Sequence, residues 1–307
     1  MRLMRVIGTV WVGAVVTAAA APAAAASPVP PPTPVSAPAP APAAERASGP
    51  AAERADVIAQ VRTPVGDSDE HRPTENYGGI PLVTVYADGR VITRVNHQMA
   101  GWYPLFPDLR ERQVSPRDAR RLARSLRRAL DADLGDPEPR PFATRFTATT
   151  GGTVRTVAVD DFDDVYSRYP RTHGLTATQQ DNQAHLRAVV AQLFDLPGTL
   201  GARAVGPDHP YRPAAVAAIN IRQDVAKDYY ENRPLVSALV TYRGAPLPGR
   251  PIGHSAYSCA LTTGPDVATM VTEGTNDTIW RGGGGRYYQI EFRPLLPHES
   301  TCGAILS

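Results

Sequence analysis

The 307-residue chain holds 31 prolines but only 6 phenylalanines and 3 tryptophans, so part of it cannot be core; the length accommodates one large domain or two small ones. Its 32 basic and 30 acidic residues nearly cancel, and removing residues 1–26, which hold Arg2 and Arg5 and no acid, leaves 30 of each. A balanced chain has no sequence-level footprint for nucleic acid, and that partner is not expected.

Arg2 and Arg5 precede an apolar run over residues 6–20, and Ala24, Ala25 and Ala26 supply a small-residue site before Ser27. This is the layout of a cleaved secretory signal over residues 1–26. The run is shorter than the roughly 20 residues that cross a bilayer, so stable membrane insertion after cleavage is not expected. No cysteine stands near the cleavage site for lipid attachment. Residues 27–56 are then rich in Pro and Ala, with Pro28, Pro30, Pro31, Pro32, Pro34, Pro38, Pro40 and Pro42 in succession. Such a stretch buries too little apolar area to offset the entropy of ordering and reads as a disordered, extended spacer.

Residues 57–307 read as an α+β body, either whole or as subdomains 57–205 and 206–307. Leu82, Val83, Val85 and Tyr86 run into Asp88-Gly89 and out through Val91 and Ile92, a strong hairpin signal. Ser115 and Pro116 then predict a helix start. Ala119, Leu122, Ala123, Leu126, Ala129 and Leu130 follow at helical spacing, with Arg117, Arg120, Arg121, Arg124, Arg127 and Arg128 on the other faces. Such an Arg array either meets an anionic polymer or is a solvated helix face, and the solvated face is the plainer reading.

A second unit of the same kind comes next. Residues 142–149 alternate around Phe146, Thr150-Gly151-Gly152-Thr153 turns the chain, and Val154, Val157 and Val159 lead back. A helix is expected from near Thr178, with Leu186, Val189, Val190, Leu193 and Phe194 as its apolar stripe and Leu196-Pro197-Gly198 as its stop. The C-terminal third is β-rich: strand-like residues 216–221, 278–280 and 287–292 surround a turn at Gly282-Gly283-Gly284-Gly285. Cys259 and Cys302 are the only cysteines, and an isolated pair in an exported chain is most simply a disulfide.

Catalytic patterns fail one by one. Gly253-His254-Ser255-Ala256-Tyr257 begins like a hydrolase nucleophile elbow, but Tyr257 stands where the second glycine belongs. His71, His97, His173, His185, His209, His254 and His298 show no metal-ligand spacing. Asp160, Asp161, Asp163 and Asp164 cluster after a strand, yet Val165 and Tyr166 break a calcium-loop pattern. The four glycines precede a strand, not the helix a phosphate loop requires. No catalytic, cofactor or metal residues are expected. Trp102, Tyr103 and Phe106, interleaved with Pro104 and Pro107, form a candidate binding loop between the first hairpin and the first helix, and Tyr229-Tyr230 is a second aromatic pair.

Four segments carry a resemblance: residues 85–91, the Arg-rich helix after Ser115, Tyr211-Arg212-Pro213, and Phe292-Arg293-Pro294-Leu295-Leu296-Pro297-His298-Glu299 ahead of Cys302. Over residues 80–302 the chain resembles a group of secreted or lipid-anchored actinobacterial proteins of unknown function. Many members carry a lipobox, and this chain departs from them there. The resemblance implies an envelope or extracytoplasmic location and assigns no chemistry. The expectation is a non-enzymatic binding module for a protein or a cell-wall component; the alternative is an extracellular hydrolase with a dispersed Ser, His and Asp site.

Overall fold

The computed structural model describes residues 56–63, 79–95, 106–135, 143–159, 162, 174–223, 239–252, 257–272 and 278–306, all within the unit Pro50–Ser307. The signal read over 1–26 and all but the last residue of the spacer lie outside them.

Strand β1 (Val57–Arg62) begins where the spacer was expected to end. The Asp56 carbonyl already accepts the Ala87 N–H at 2.9 Å. β2 (Val83–Tyr86) and β3 (Arg90–Val95) form the first hairpin. Its turn needs Gly89, whose φ is +95° and where a Cβ would lie 2.1 Å from the Val114 carbonyl oxygen; a side chain would be both strained and blocked. The segment expected as a loop before the helix is corrected here, because it contains β4 (Asp108–Gln113), paired along the whole of β3. Its Asp-Leu-Arg-Glu-Arg-Gln sequence offers one apolar residue, Leu109, so periodicity could not reveal it.

Helix α1 (Pro116–Leu130) starts as the sequence requires: the Ser115 hydroxyl oxygen accepts the Asp118 N–H at 3.1 Å. Ala119, Leu122, Ala123, Leu126, Ala129 and Leu130 are all buried. Each fully buried leucine contributes about 1.5–3 kcal/mol through apolar area removed from water. The second hairpin joins β5 (Thr144–Thr150) to β6 (Thr153–Val159).

Helix α2 (Ala177–Phe194) begins one residue before the expected Thr178, because Thr176, its N-cap, and Gln179 cap each other reciprocally. That capping box satisfies two backbone donors that Thr178 could not reach. Phe194, expected in the apolar stripe, is 43% exposed. Leu196-Pro197-Gly198 does end α2, but it also opens a short helix, α3 (Leu196–Leu200), capped by Asp195 accepting the Gly198 N–H at 3.0 Å. Proline at a first helical turn costs no hydrogen bond. With β7 (His209–Pro210), the strands make a seven-stranded antiparallel sheet in the order β6-β5-β1-β2-β3-β4-β7. α1 and α2 cover one face of it around Ala59, Val61, Val85, Phe146 and Val159.

The remaining strands are β8 (Ala215–Gln223), β9 (Leu239–Thr241), β10 (Arg250–Pro251), β11 (Ser258–Thr263), β12 (Ile279–Arg281) and β13 (Tyr287–Pro294). They build a six-stranded sheet in the order β10-β11-β8-β13-β12-β9. The glycine run closes the β12–β13 hairpin, with the Gly282 N–H donating to the Arg286 carbonyl at 2.9 Å. A helix, α4 (Pro265–Thr272), follows β11. β8 reads Ala-Val-Ala-Ala-Ile-Asn-Ile because both sheet faces are covered: Val216 and Ala218 join one core, Ala217 and Ile219 another. Cys259 and Cys302 form a disulfide across the second of these cores, with Cα atoms 6.1 Å apart.

Candidate functional site

Chemistry-bearing groups gather where the C-terminal motif leaves the six-stranded sheet and reaches the seven-stranded one. Pro294 ends β13, and the chain turns so that the Glu299 N–H donates to the Leu296 carbonyl at 2.8 Å. This turn carries the Glu299 carboxylate back onto Arg293. The guanidinium donates Nη1–H to Oε2 at 2.5 Å and Nη2–H to Oε1 at 2.7 Å, and both side chains are 1% exposed. The Leu296 N–H also donates to Glu Oε2 at 2.8 Å. Burial of a charge pair is tolerated only when its lone pairs and protons are met in this way.

The same motif grips the first sheet. The Leu296 side chain packs with Ile80, Tyr86, Ile92 and Leu109. The Tyr211 hydroxyl donates to the Leu295 carbonyl at 2.7 Å, and Tyr86 Oη lies 3.0 Å from His298 Nδ1. Burial drives both phenols well above their ordinary range. Both therefore stay protonated at neutral pH. Burial also holds His298 below its usual value, against the opposing pull of Glu299 and helped by Arg293 and Arg62. Nε2 faces Glu299 Oε1 at 4.0 Å.

Both carboxylate oxygens of this cluster accept hydrogen bonds, and its contacts join the C-terminal turn to the first sheet. Sequence reading missed it. Tyr86 and His298 stand 212 positions apart, and Arg293 and Glu299 looked like parts of a proline-bounded motif. A charged residue inside an otherwise alternating strand was the one available signal.

The other expected residues lie apart from this cluster. Phe106 is half-buried, its ring centroid 5.9 Å from that of Phe292, while Trp102 and Tyr103 lie outside the described residues. So do His254, Ser255, the four aspartates after β6 and Tyr229-Tyr230. Among the described residues no group of three or more His, Cys, Asp or Glu is arranged to hold a metal ion, and no helix is long and apolar enough to cross a membrane. An open depression of about 520 Å³ runs along α2 and α3, past Gln192, Asp195 and Thr199. Its one ionisable side chain, Asp195, is engaged in capping. Comparison of the chain with family models, with curated proteins and with solved structures finds no match.

Proposed function

We propose that the chain is an exported, non-catalytic binding module of the cell envelope or its surroundings, contacting a protein or cell-wall component through the loop that bears Trp102 and Tyr103. On this reading two hairpin-plus-helix units, the first with β4 added, and the β-rich C-terminal third form a rigid carrier. The observation that supports it is the anchoring of Phe106: packed against Phe292, it tethers the segment that precedes it immediately before β4. A loop with a fixed base and two prolines loses less entropy on association than a free one. The interior ionisable cluster, engaged in joining two sheets, adds to the same reading.

The test compares Trp102→Ala and Tyr103→Ala in the full chain, measuring unfolding free energy alongside chemical crosslinking in the producing cells. Binding anchors would lose the crosslinked species with stability nearly intact. Aromatics that merely cap a core would instead cost about 3–5 kcal/mol of folding free energy each. An ester- or amide-hydrolysing activity that Ser255→Ala abolishes would replace this reading with the hydrolase.

A further inference from the structure

Helix α1 presents a row of guanidinium groups of which, among the described residues, Arg121 alone has an acidic partner, Asp118. Arg117, Arg120, Arg121, Arg124 and Arg128 are exposed. At about 100° per residue they fall within an arc of roughly 100°, and Arg117 and Arg128 stand about 16 Å apart along the axis. The acids near α1 lie at its ends and are already engaged: Asp118 with Arg121 at 3.4 Å and with the Ser115 hydroxyl, Asp131 with Arg127 at 3.0 Å. Among the described residues, Arg117, Arg120 and Arg124 have no side-chain hydrogen bond or ion pair, and Arg128 reaches only the Arg124 carbonyl at 3.4 Å. Helix α2 covers the same sheet face without any such row; its charged residues are Asp181 and Arg187, with His185 between them. An ordinary solvated helix face therefore looks different in this very protein.

We infer that this row is a binding site for a linear phosphodiester polymer of the poly(glycerol phosphate) kind. Guanidinium groups match phosphate oxygens in two-point contacts. The groups follow the helix axis for about 16 Å, so a flexible charged thread laid along α1 meets several of them at once. α1 exposes no aromatic, Leu, Val or Ile side chain, so it lacks the apolar face by which a helix enters a lipid surface and the rings on which bases stack. The site is independent of the loop bearing Trp102.

The experiment titrates the full chain with poly(glycerol phosphate) across a salt series. With four phosphates engaged, the slope of log affinity against log salt is about −3, so affinity falls about 50-fold between roughly 50 and 200 mM salt. The combined variant Arg117→Gln, Arg120→Gln, Arg124→Gln, Arg128→Gln loses binding while its melting temperature stays near that of the parent, because each side chain is exposed. Replacing the same four by Lys retains the salt slope. Trp102→Ala leaves polymer affinity unchanged. The inference is overturned by absence of polymer binding at low salt, by a glutamine variant that binds as the parent does, by loss of polymer binding in Trp102→Ala, or by binding to phosphatidylglycerol vesicles without binding to the free polymer.

Discussion

Tyr86 on β2 and His298 in the C-terminal turn share a hydrogen bond of 3.0 Å across 212 positions of sequence. It places a titratable ring at the junction of the two sheets, and it makes that junction sensitive to acid.

Stability should fall below neutral pH through His298. Burial holds its folded value under the ordinary 6.5, so on acidification the unfolded chain takes up the proton first. With more protons bound when unfolded, stability rises with pH across this window. It is undiminished above 6.5 and drains away as pH drops from there towards the lower folded value. His298→Gln should flatten that part of the profile relative to the parent. Unfolding free energies at several pH values between about 5 and 7.5 make the comparison, and parallel profiles would exclude the histidine as the cause.

Breaking the Arg293–Glu299 pair from one side should cost about 3–5 kcal/mol, since it strands a buried charge. Glu299→Gln and Arg293→Met are each expected to show this in denaturant unfolding. The double variant Arg293→Met, Glu299→Leu should recover part of the loss, because no charge is left stranded, although the Leu296 N–H loses its acceptor. A double variant as damaged as either single one would mean that the pair's geometry, not its charge, is what matters.

Reducing the Cys259–Cys302 disulfide opens a loop whose ends are 43 positions apart. Loop-closure entropy then predicts a loss of about 4 kcal/mol. Cys302→Ser should therefore lower the melting temperature substantially. Intact mass after alkylation, with and without reductant, checks the bond itself: two labelled thiols before reduction would contradict it.

Truncation should show a sharp boundary at β1. A chain beginning at Asp56 keeps the strand that pairs with β2 on one side and β5 on the other, and should unfold cooperatively. Starting at residue 63 removes a strand interior to the seven-stranded sheet and leaves two neighbours with open edges, which should abolish cooperative unfolding or drive aggregation. Differential scanning calorimetry of the two forms separates these outcomes.

Local signals were legible wherever one short segment carries its own reason. Asp88-Gly89 closes a hairpin because the glycine adopts a positive φ, and Ser115-Pro116 starts α1 because a hydroxyl and a proline suit an N-terminus. The α1 stripe is buried at every position that its 3.6-residue spacing selected. Two cysteines without company form one disulfide. β4 was not legible, because it holds four charged residues and a single apolar one, Leu109. Nor was the interior place of β1, since strand order depends on pairings between segments that sequence proximity does not join: β1 meets β5 only after α1 has crossed the sheet face. The Tyr86, His298, Arg293 and Glu299 cluster belongs to the tertiary structure for the same reason. Each of its residues is unremarkable in its own segment, and they acquire a shared chemistry only when the turn after β13 packs Leu296 against Ile80, Tyr86, Ile92 and Leu109 and takes the surrounding polar groups out of water.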